Sequence, residues 1–268
     1  VVCGASITRN ALNDRLLPQT VNVSQAGRSV MDFYLVAKRI KRDYPGVERI
    51  VADFTIQGFS GYRDYFFAHP KFSAKTFHKI YPLAGWSDFI NYPLNYNSYI
   101  KMLLRQELSP NTTYWSNFLG SCCFENMQYE IPYVGAYEDR MENDLSDSLL
   151  EMGIQQYFYF RGEEFHVSEV DIHYLDSLLY WTMEEDLELV YFAGPAHKST
   201  YDKVPEKFVA AFEKKKQKYR QFDHVTLLDY TFLDLPDSCF ANHNHLNGYG
   251  AEIISKMVRD TLGLGQSL

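Results

Sequence analysis

The stretch Ser29-Val30-Met31-Asp32-Phe33-Tyr34-Leu35-Val36-Ala37-Lys38-Arg39-Ile40, closed by Pro45-Gly46 and followed by Arg49-Ile50-Val51-Ala52-Asp53-Phe54, decides the fold class. Ser29 is a residue type that caps helix N-termini, and Asp32 three positions on can return the bond, as in a capping box. Val30, Phe33, Tyr34, Ala37 and Ile40 then recur at helical spacing, which gives the helix one apolar face. Pro45-Gly46 stops it, and Arg49 to Phe54 reads as a buried strand. Just upstream, Thr20-Val21-Asn22-Val23 has the alternation and β-branching of another strand. Strand, helix, strand in this order builds a parallel sheet, because parallel neighbours need a crossover connection.

Outward from this unit, Val1-Val2-Cys3 reads as the end of a strand that runs into the turn Gly4-Ala5-Ser6, and a short polar helix is predicted over Asn10 to Leu16, stopped by Pro18. From about Gly58 to Asp147 periodicity fails, apart from a predicted helix around Ser98 to Glu107, and the sequence is rich in aromatics, Asn and Pro. Order returns with a helix capped by Ser168, with Asp171 in its first turn and Leu175, Leu178, Leu179 and Thr182 on one face. The strand Leu187 to Phe192 follows. Pro205 is placed as a first-turn residue of a helix carrying Phe208, Ala211, Phe212 and Tyr219, the strand Val225 to Asp229 comes next, and Ala251 to Leu262 forms the last helix. The expectation is a single α/β domain over residues 1–268, a three-layer sandwich with a mainly parallel, flavodoxin-like sheet and an aromatic-rich insertion or cap over 58–147. Ligands of such sheets bind at the C-terminal strand ends, where Ser6 and Gly27 fall.

Composition narrows the function. At 268 residues and 46% hydrophobic, the chain can bury a full core. No stretch approaches the roughly 18 consecutive apolar residues of a membrane span. The chain starts inside a strand without methionine, so an upstream signal peptide or membrane anchor is expected, and with it an extracytoplasmic location. A formal net charge of −8 argues against nucleic acid as a partner. The basic run Lys214 to Lys218 closes a helix and is expected to be a solvated face. The four cysteines lack metal-type spacing and leave the redox compartment open. The 21 Tyr and 19 Phe, many between Tyr62 and Tyr159, fit either a sugar-stacking cleft or the packing of an irregular insertion.

Three elements carry chemistry. Ser6 follows the first strand in a small-residue turn, but a serine needs a base to take its proton as it attacks. Gly27 follows a strand end, where glycine lets backbone approach a substrate and point its N–H at a developing oxyanion, or simply makes the turn into the Ser29 helix. His245 stands on the loop before the last helix, in His245-Leu246-Asn247-Gly248-Tyr249-Gly250.

These elements, in this order, resemble the SGNH (GDSL-like) hydrolase superfamily of esterases, lipases, thioesterases and carbohydrate acetyl-esterases. Gly4-Ala5-Ser6 stands for its first block, Asn22 to Gly27 for its second, and His245-Leu246-Asn247-x-x-Gly250 for its last. The three blocks frame the chain while the middle carries no family motif. The resemblance implies Ser6 as nucleophile, His245 as general base and then acid, Ser6 and Gly27 N–H groups as oxyanion donors, and no metal or organic cofactor. Aligning Arg49 to Phe54 with the family's next strand places Gln57 where a second oxyanion amide is expected. Relatives that modify cell-envelope polysaccharides point to an O-acylated glycan or small-molecule ester as substrate, with hydrolase or acyltransferase left open. The chain departs from the family at Ala5 and, more seriously, at Asn242, where the family has the aspartate that orients the histidine. An amide cannot stabilise imidazolium as a carboxylate does, and it can favour the wrong tautomer; in a serine protease that change cost about ten-thousandfold in rate. Asn242 can accept from His245, Asp237 can substitute, or the fold is an impaired module that binds a glycan or protein. His243-x-His245 is also a metal-ligand spacing, with Asp237 or His166 as the third ligand it would need.

Overall fold

The computed structural model describes residues 1–68 and 135–265. The predicted helix at Ser98 to Glu107, most of the aromatic-rich stretch and Cys122-Cys123 lie outside them. The chain divides into two compact units, Val1–Tyr62 with Tyr133–Leu268, and Arg63–Pro132. The first unit carries the parallel sheet and the residues of the three sequence blocks.

Its elements begin with β1 (Val2–Cys3), α1 (Ser6–Ala11), α2 (Val30–Asp43), β2 (Arg49–Asp53) and α3 (Tyr62–Ala68), which runs past the unit's edge. After the undescribed segment come α4 (Asp147–Phe158), a small hairpin of β3 (Tyr159–Phe160) and β4 (Glu163–Glu164), α5 (Glu169–Glu184), β5 (Glu188–Ala193), α6 (Glu206–Tyr219) and β6 (Val225–Asp229). The unit closes with β7 (Phe240–Asn242), β8 (His245–Leu246) and α7 (Gly248–Thr261). Strands β1, β2, β5 and β6 form a four-stranded parallel sheet in that order.

The fold is therefore α/β, with helices on both faces of a parallel sheet. Side chains alternate across strands, so Val51, Val190, Phe192 and Leu228 meet Ile254 and Val258 of α7 and Ala11 of α1 in one core. On the other face Tyr191 stacks on Tyr219 of α6 and donates its hydroxyl to the Leu175 carbonyl of α5 at 2.7 Å. Phe54 gathers Phe59, Tyr191, Phe212 and Tyr219 around it. Part of the aromatic content is thus core packing.

The capping box at Ser29 forms in both directions: Asp32 N–H reaches Ser29 Oγ at 3.3 Å, and Ser29 N–H reaches Asp32 Oδ2 at 2.7 Å. Such a cap is worth about 1 kcal/mol. Ser168 caps α5 through the Asp171 N–H at 3.0 Å. Pro205 stands one residue earlier than expected, at the N-cap of α6.

Three expectations are corrected. The helix predicted over Asn10 to Leu16 is instead α1, which begins at Ser6, followed by a 3-10 turn at Asp14–Leu16. The break has a cause in Leu12, which is extended, and in Asn13, whose side chain accepts the Arg15 N–H and restarts the chain as a turn. Thr20 to Val23 is no full strand: only Asn22 bridges to Val2, although Val2, Val23 and Gln25 bind across the seam through backbone bonds of 2.9 Å. Asn22 spends its remaining groups locally, its amide donating to the Leu12 carbonyl at 2.7 Å and accepting the Ser24 N–H at 3.0 Å. The Lys214 to Lys218 run is not simply a solvated face. Lys215 and Lys218 pair with Asp176 at 2.7 and 3.1 Å, and buried Lys216 pairs with Asp229 at 2.7 Å, which holds that carboxyl below its usual range.

Candidate active site

Three polar side chains line up above the C-terminal end of β1. Ser6 is the first residue of α1, and its Oγ lies 2.8 Å from His245 Nε2. His245 Nδ1 lies 3.0 Å from Asn242 Oδ1. Asn242 and His245 are directly opposed residues of the β7–β8 hairpin, joined by the two-residue turn His243-Asn244. Opposed residues of a hairpin put their side chains on one face within reach of each other, so the spacing Asn-x-x-His itself delivers the contact.

The tautomer follows from the backbone. Asn242 Oδ1 also accepts the Asn244 N–H at 3.0 Å, which fixes oxygen rather than nitrogen on that side of the amide. His245 Nδ1 therefore carries its proton toward Asn242, and Nε2 presents a lone pair to the Ser6 hydroxyl. The amide keeps the orientation that a general base needs, but it supplies no negative charge. His245 is mostly buried, and desolvation, then Arg140 and Arg9, push its pKa down to about 4, against a smaller upward pull from Glu138. The imidazole is neutral at pH 7 and disfavours protonation.

The turn that carries Ser6 is built by its neighbours. A Cβ at Gly4 would stand 2.7 Å from Thr8 Cβ and 3.0 Å from Asp53 Cβ, so only glycine lets α1 start this close to β2. Asp53 at the end of β2 accepts the Ala5 N–H at 3.1 Å and gives the Ser6 turn a carboxylate from the adjacent strand. Sequence reasoning missed Asp53, which nothing in the serine motif signals; its place at a C-terminal strand end is the signal that could have found it. Gly27 lies two residues beyond Gln25, whose N–H is bound to the Gly4 carbonyl at 2.9 Å, and it adopts φ +77°, which favours glycine. Gln57 sits on a 3-10 turn at Ile56–Phe59, and its Nε2 donates to Asn244 Oδ1 at 3.0 Å, so it meets the hairpin turn rather than Ser6 directly.

The last motif is also structural. Asn247 caps α7, accepting the Tyr249 and Gly250 N–H groups at 3.1 and 3.2 Å, while its Nδ2 donates to the Ser238 carbonyl at 2.7 Å. A Cβ on Gly250 would lie 2.3 Å from the Cys239 carbonyl oxygen, and Leu246 is fully in the core. The motif packs α7 against β7 and so anchors the hairpin that bears Asn242 and His245.

His243 and His245 do not share a site. His243 turns away, with Nε2 donating to the Ser146 carbonyl at 3.0 Å and Nδ1 2.8 Å from Ser199 Oγ. Ser199 also meets His197 Nδ1 at 2.7 Å, and Asp237 pairs with His197 Nε2 at 3.2 Å, so Asp237 is engaged with His197 rather than with His245. Backbone binding of His197 N–H to the His243 carbonyl at 2.9 Å completes a brace under the turn. His166 lies against Gly61, and among the described residues no group of three His, Cys, Asp or Glu could hold a metal ion. Cys3 and Cys239 are buried free thiols, Cys3 pushed up to about 12 by burial, which makes it a poor nucleophile. Among the described residues no helix is long and apolar enough to cross a membrane.

A strap of residues 136–144 passes the site. Ala136 N–H binds the Asn22 carbonyl at 2.7 Å, Gly248 N–H binds the Arg140 carbonyl at 2.6 Å, and Asp144 N–H binds the Ala241 carbonyl at 2.9 Å. Its Glu138 pairs with Arg9 of α1 and with Arg140. Sequence reasoning missed this strap, because it falls in the aperiodic stretch. No protein-family model matches the chain, and no curated protein matches it.

Proposed function

We propose that this chain is a serine ester hydrolase of the SGNH type, with Ser6 as nucleophile and His245 as base. The single observation that carries the reading is the ordered chain Ser6 Oγ, His245 Nε2, His245 Nδ1, Asn242 Oδ1, with the amide oxygen fixed by the Asn244 N–H. In the reaction Ser6 Oγ bonds to the ester carbonyl carbon while its proton passes to His245 Nε2. The carbonyl oxygen becomes an oxyanion, for which the backbone N–H groups of Ser6 and Gly27 are the donors, with Gln57 in support. His245 then returns the proton to the departing alkoxide as the carbon–oxygen bond breaks, leaving an acyl-Ser6. Water, activated by His245, releases the acid; a second alcohol in place of water would give acyl transfer. The substrate class is an O-acylated glycan, by analogy with the family and from the aromatic-rich sequence, and the setting is extracytoplasmic.

Asn242 favours a second reading, a fold that retains the constellation and binds a glycan or protein with little turnover. Reaction with a fluorophosphonate probe, followed by intact mass and peptide mapping, separates the two. A single adduct on Ser6, absent in Ser6→Ala, with hydrolysis of short-chain aryl esters lost in the same variant, is the expected result. Labelling that is absent or unaffected by Ser6→Ala overturns the esterase reading.

A further inference from the structure

Two arginines, Arg9 and Arg140, stand close enough to the His245 ring for their charges to act on it, and among the described residues they share the carboxylate of Glu138. Arg9 is on α1, three residues after Ser6 and so one turn along the same helix. Arg140 is on the strap, its carbonyl tied to the first residue of α7, three positions after His245. Glu138 pairs with both, and at 3.4 Å its contacts with Arg140 are loose. The Glu138 side chain is about half exposed, whereas the two arginine side chains are mostly covered. Asp139, the next acid of the strap, faces Tyr137 and Gly248 instead.

We infer that Arg9 and Arg140 form a carboxylate-binding subsite beside Ser6, occupied in the free protein by the chain's own Glu138, and that the ester taken carries a carboxylate close to its scissile bond. This rests on the esterase reading of Ser6. Three physical arguments point the same way. Arginine forks match carboxylates in geometry, and Glu138 already demonstrates the fit as an internal stand-in. The Glu138 end of the pair is half exposed and its contacts with Arg140 are long, so a ligand carboxylate can displace it with little loss. Finally, His245 must become imidazolium during attack with an amide rather than a carboxylate behind it and two guanidiniums nearby. Glu138 offsets part of that positive charge in the free protein, and a substrate carboxylate that displaced it would keep a negative charge on the arginines when the proton moves.

The test compares phenyl acetate with 4-acetoxybenzoate, matched esters that differ by a carboxylate on the leaving group. The ratio of kcat/KM for the charged over the neutral ester is expected to fall tenfold or more in Arg9→Gln and in Arg140→Gln, to rise in Glu138→Gln, and to fall with added salt. A ratio unmoved by all three substitutions overturns the subsite even where Ser6-dependent hydrolysis persists. The gain in Glu138→Gln keeps the test meaningful if an arginine variant misfolds. Binding of 4-hydroxybenzoate to Ser6→Ala protein, followed by calorimetry, needs no turnover. Affinity weakened tenfold by Arg9→Gln and strengthened by Glu138→Gln supports the subsite even if the esterase reading has failed; binding that is absent, or indifferent to both, overturns it.

Discussion

On the esterase reading, Asn242 is the residue on which rate depends. Its Oδ1 accepts from both His245 and Asn244, while its Nδ2 makes no hydrogen bond among the described residues, so Asn242→Asp removes no bond and adds a charge beside Nδ1. That charge should stabilise the imidazolium, raising kcat/KM on aryl esters by tenfold or more in stopped assays of purified protein. The acid limb of the pH–rate profile reports the same change. With His245 held at about 4, the wild-type base stays deprotonated well below the ordinary histidine range, and labelling of Ser6 should fall only as pH drops toward about 4. In Asn242→Asp the limb should move upward. A wild-type limb near 6.5, with no movement in the variant, would mean that His245 is not the titrating base. Part of this scale was legible: Ser6, His245 and Asn242 were singled out from sequence, and the structure brings their side chains within hydrogen-bond reach of one another. The tautomer was not, because it depends on the Asn244 backbone amide, and no side-chain identity encodes the direction of that N–H.

At the scale of elements, the site hangs on a hairpin only a few residues long, and short strands hold nothing by themselves. Its position comes from α7 below, through Asn247 and Gly250, and from the His197–Ser199–His243 brace beside it. Gly250→Ala places a methyl 2.3 Å from the Cys239 carbonyl oxygen, a collision with backbone that no side-chain rotation relieves. Destabilisation of about 2–3 kcal/mol is expected by urea denaturation, with Ser6 labelling slowed at temperatures where the protein is still folded, because α7 and the hairpin must part. A change below about 0.5 kcal/mol, the ordinary range of an inconsequential substitution, would show that the close approach is dispensable. Elements were read from sequence where periodicity and caps agreed, as at Ser29 and Ser168. They were misread where one polar side chain redirects the backbone. Asn13 and Asn22 do this by bonding main-chain groups two residues away or, for Asn22, ten residues back at the end of α1, and a pattern of apolar spacing is blind to it.

Across the whole molecule, acid sensitivity divides into two windows. The unfolded chain protonates His245 near its ordinary value of 6.5, whereas the native chain resists until about 4. Between these values the unfolded state binds more protons, so stability is fully present above 6.5 and falls with pH, by up to about 1.4 kcal/mol per unit for this one group. Asp176 and Asp229, held low by their hydrogen bonds to lysines against the cost of burial, contribute stability present above the ordinary carboxylate value of 3.8 and lost as pH falls below it. Urea midpoints taken from about pH 7 to about pH 4.5 should decline in the wild type and decline less in His245→Gln; parallel curves would assign the loss elsewhere. The architecture itself was legible because strands alternate with amphipathic helices, while the strap was hidden, since its backbone bonds run to residues far away in sequence. The contact that defines the site joins residues 239 positions apart. A chain emerging from the ribosome therefore exposes its serine long before the partner histidine has been synthesised, and the hairpin that carries His245 is seated only when α7 closes the core. Reactivity would thus wait for the last helix to be made and packed, leaving the nascent polypeptide chemically quiet until then.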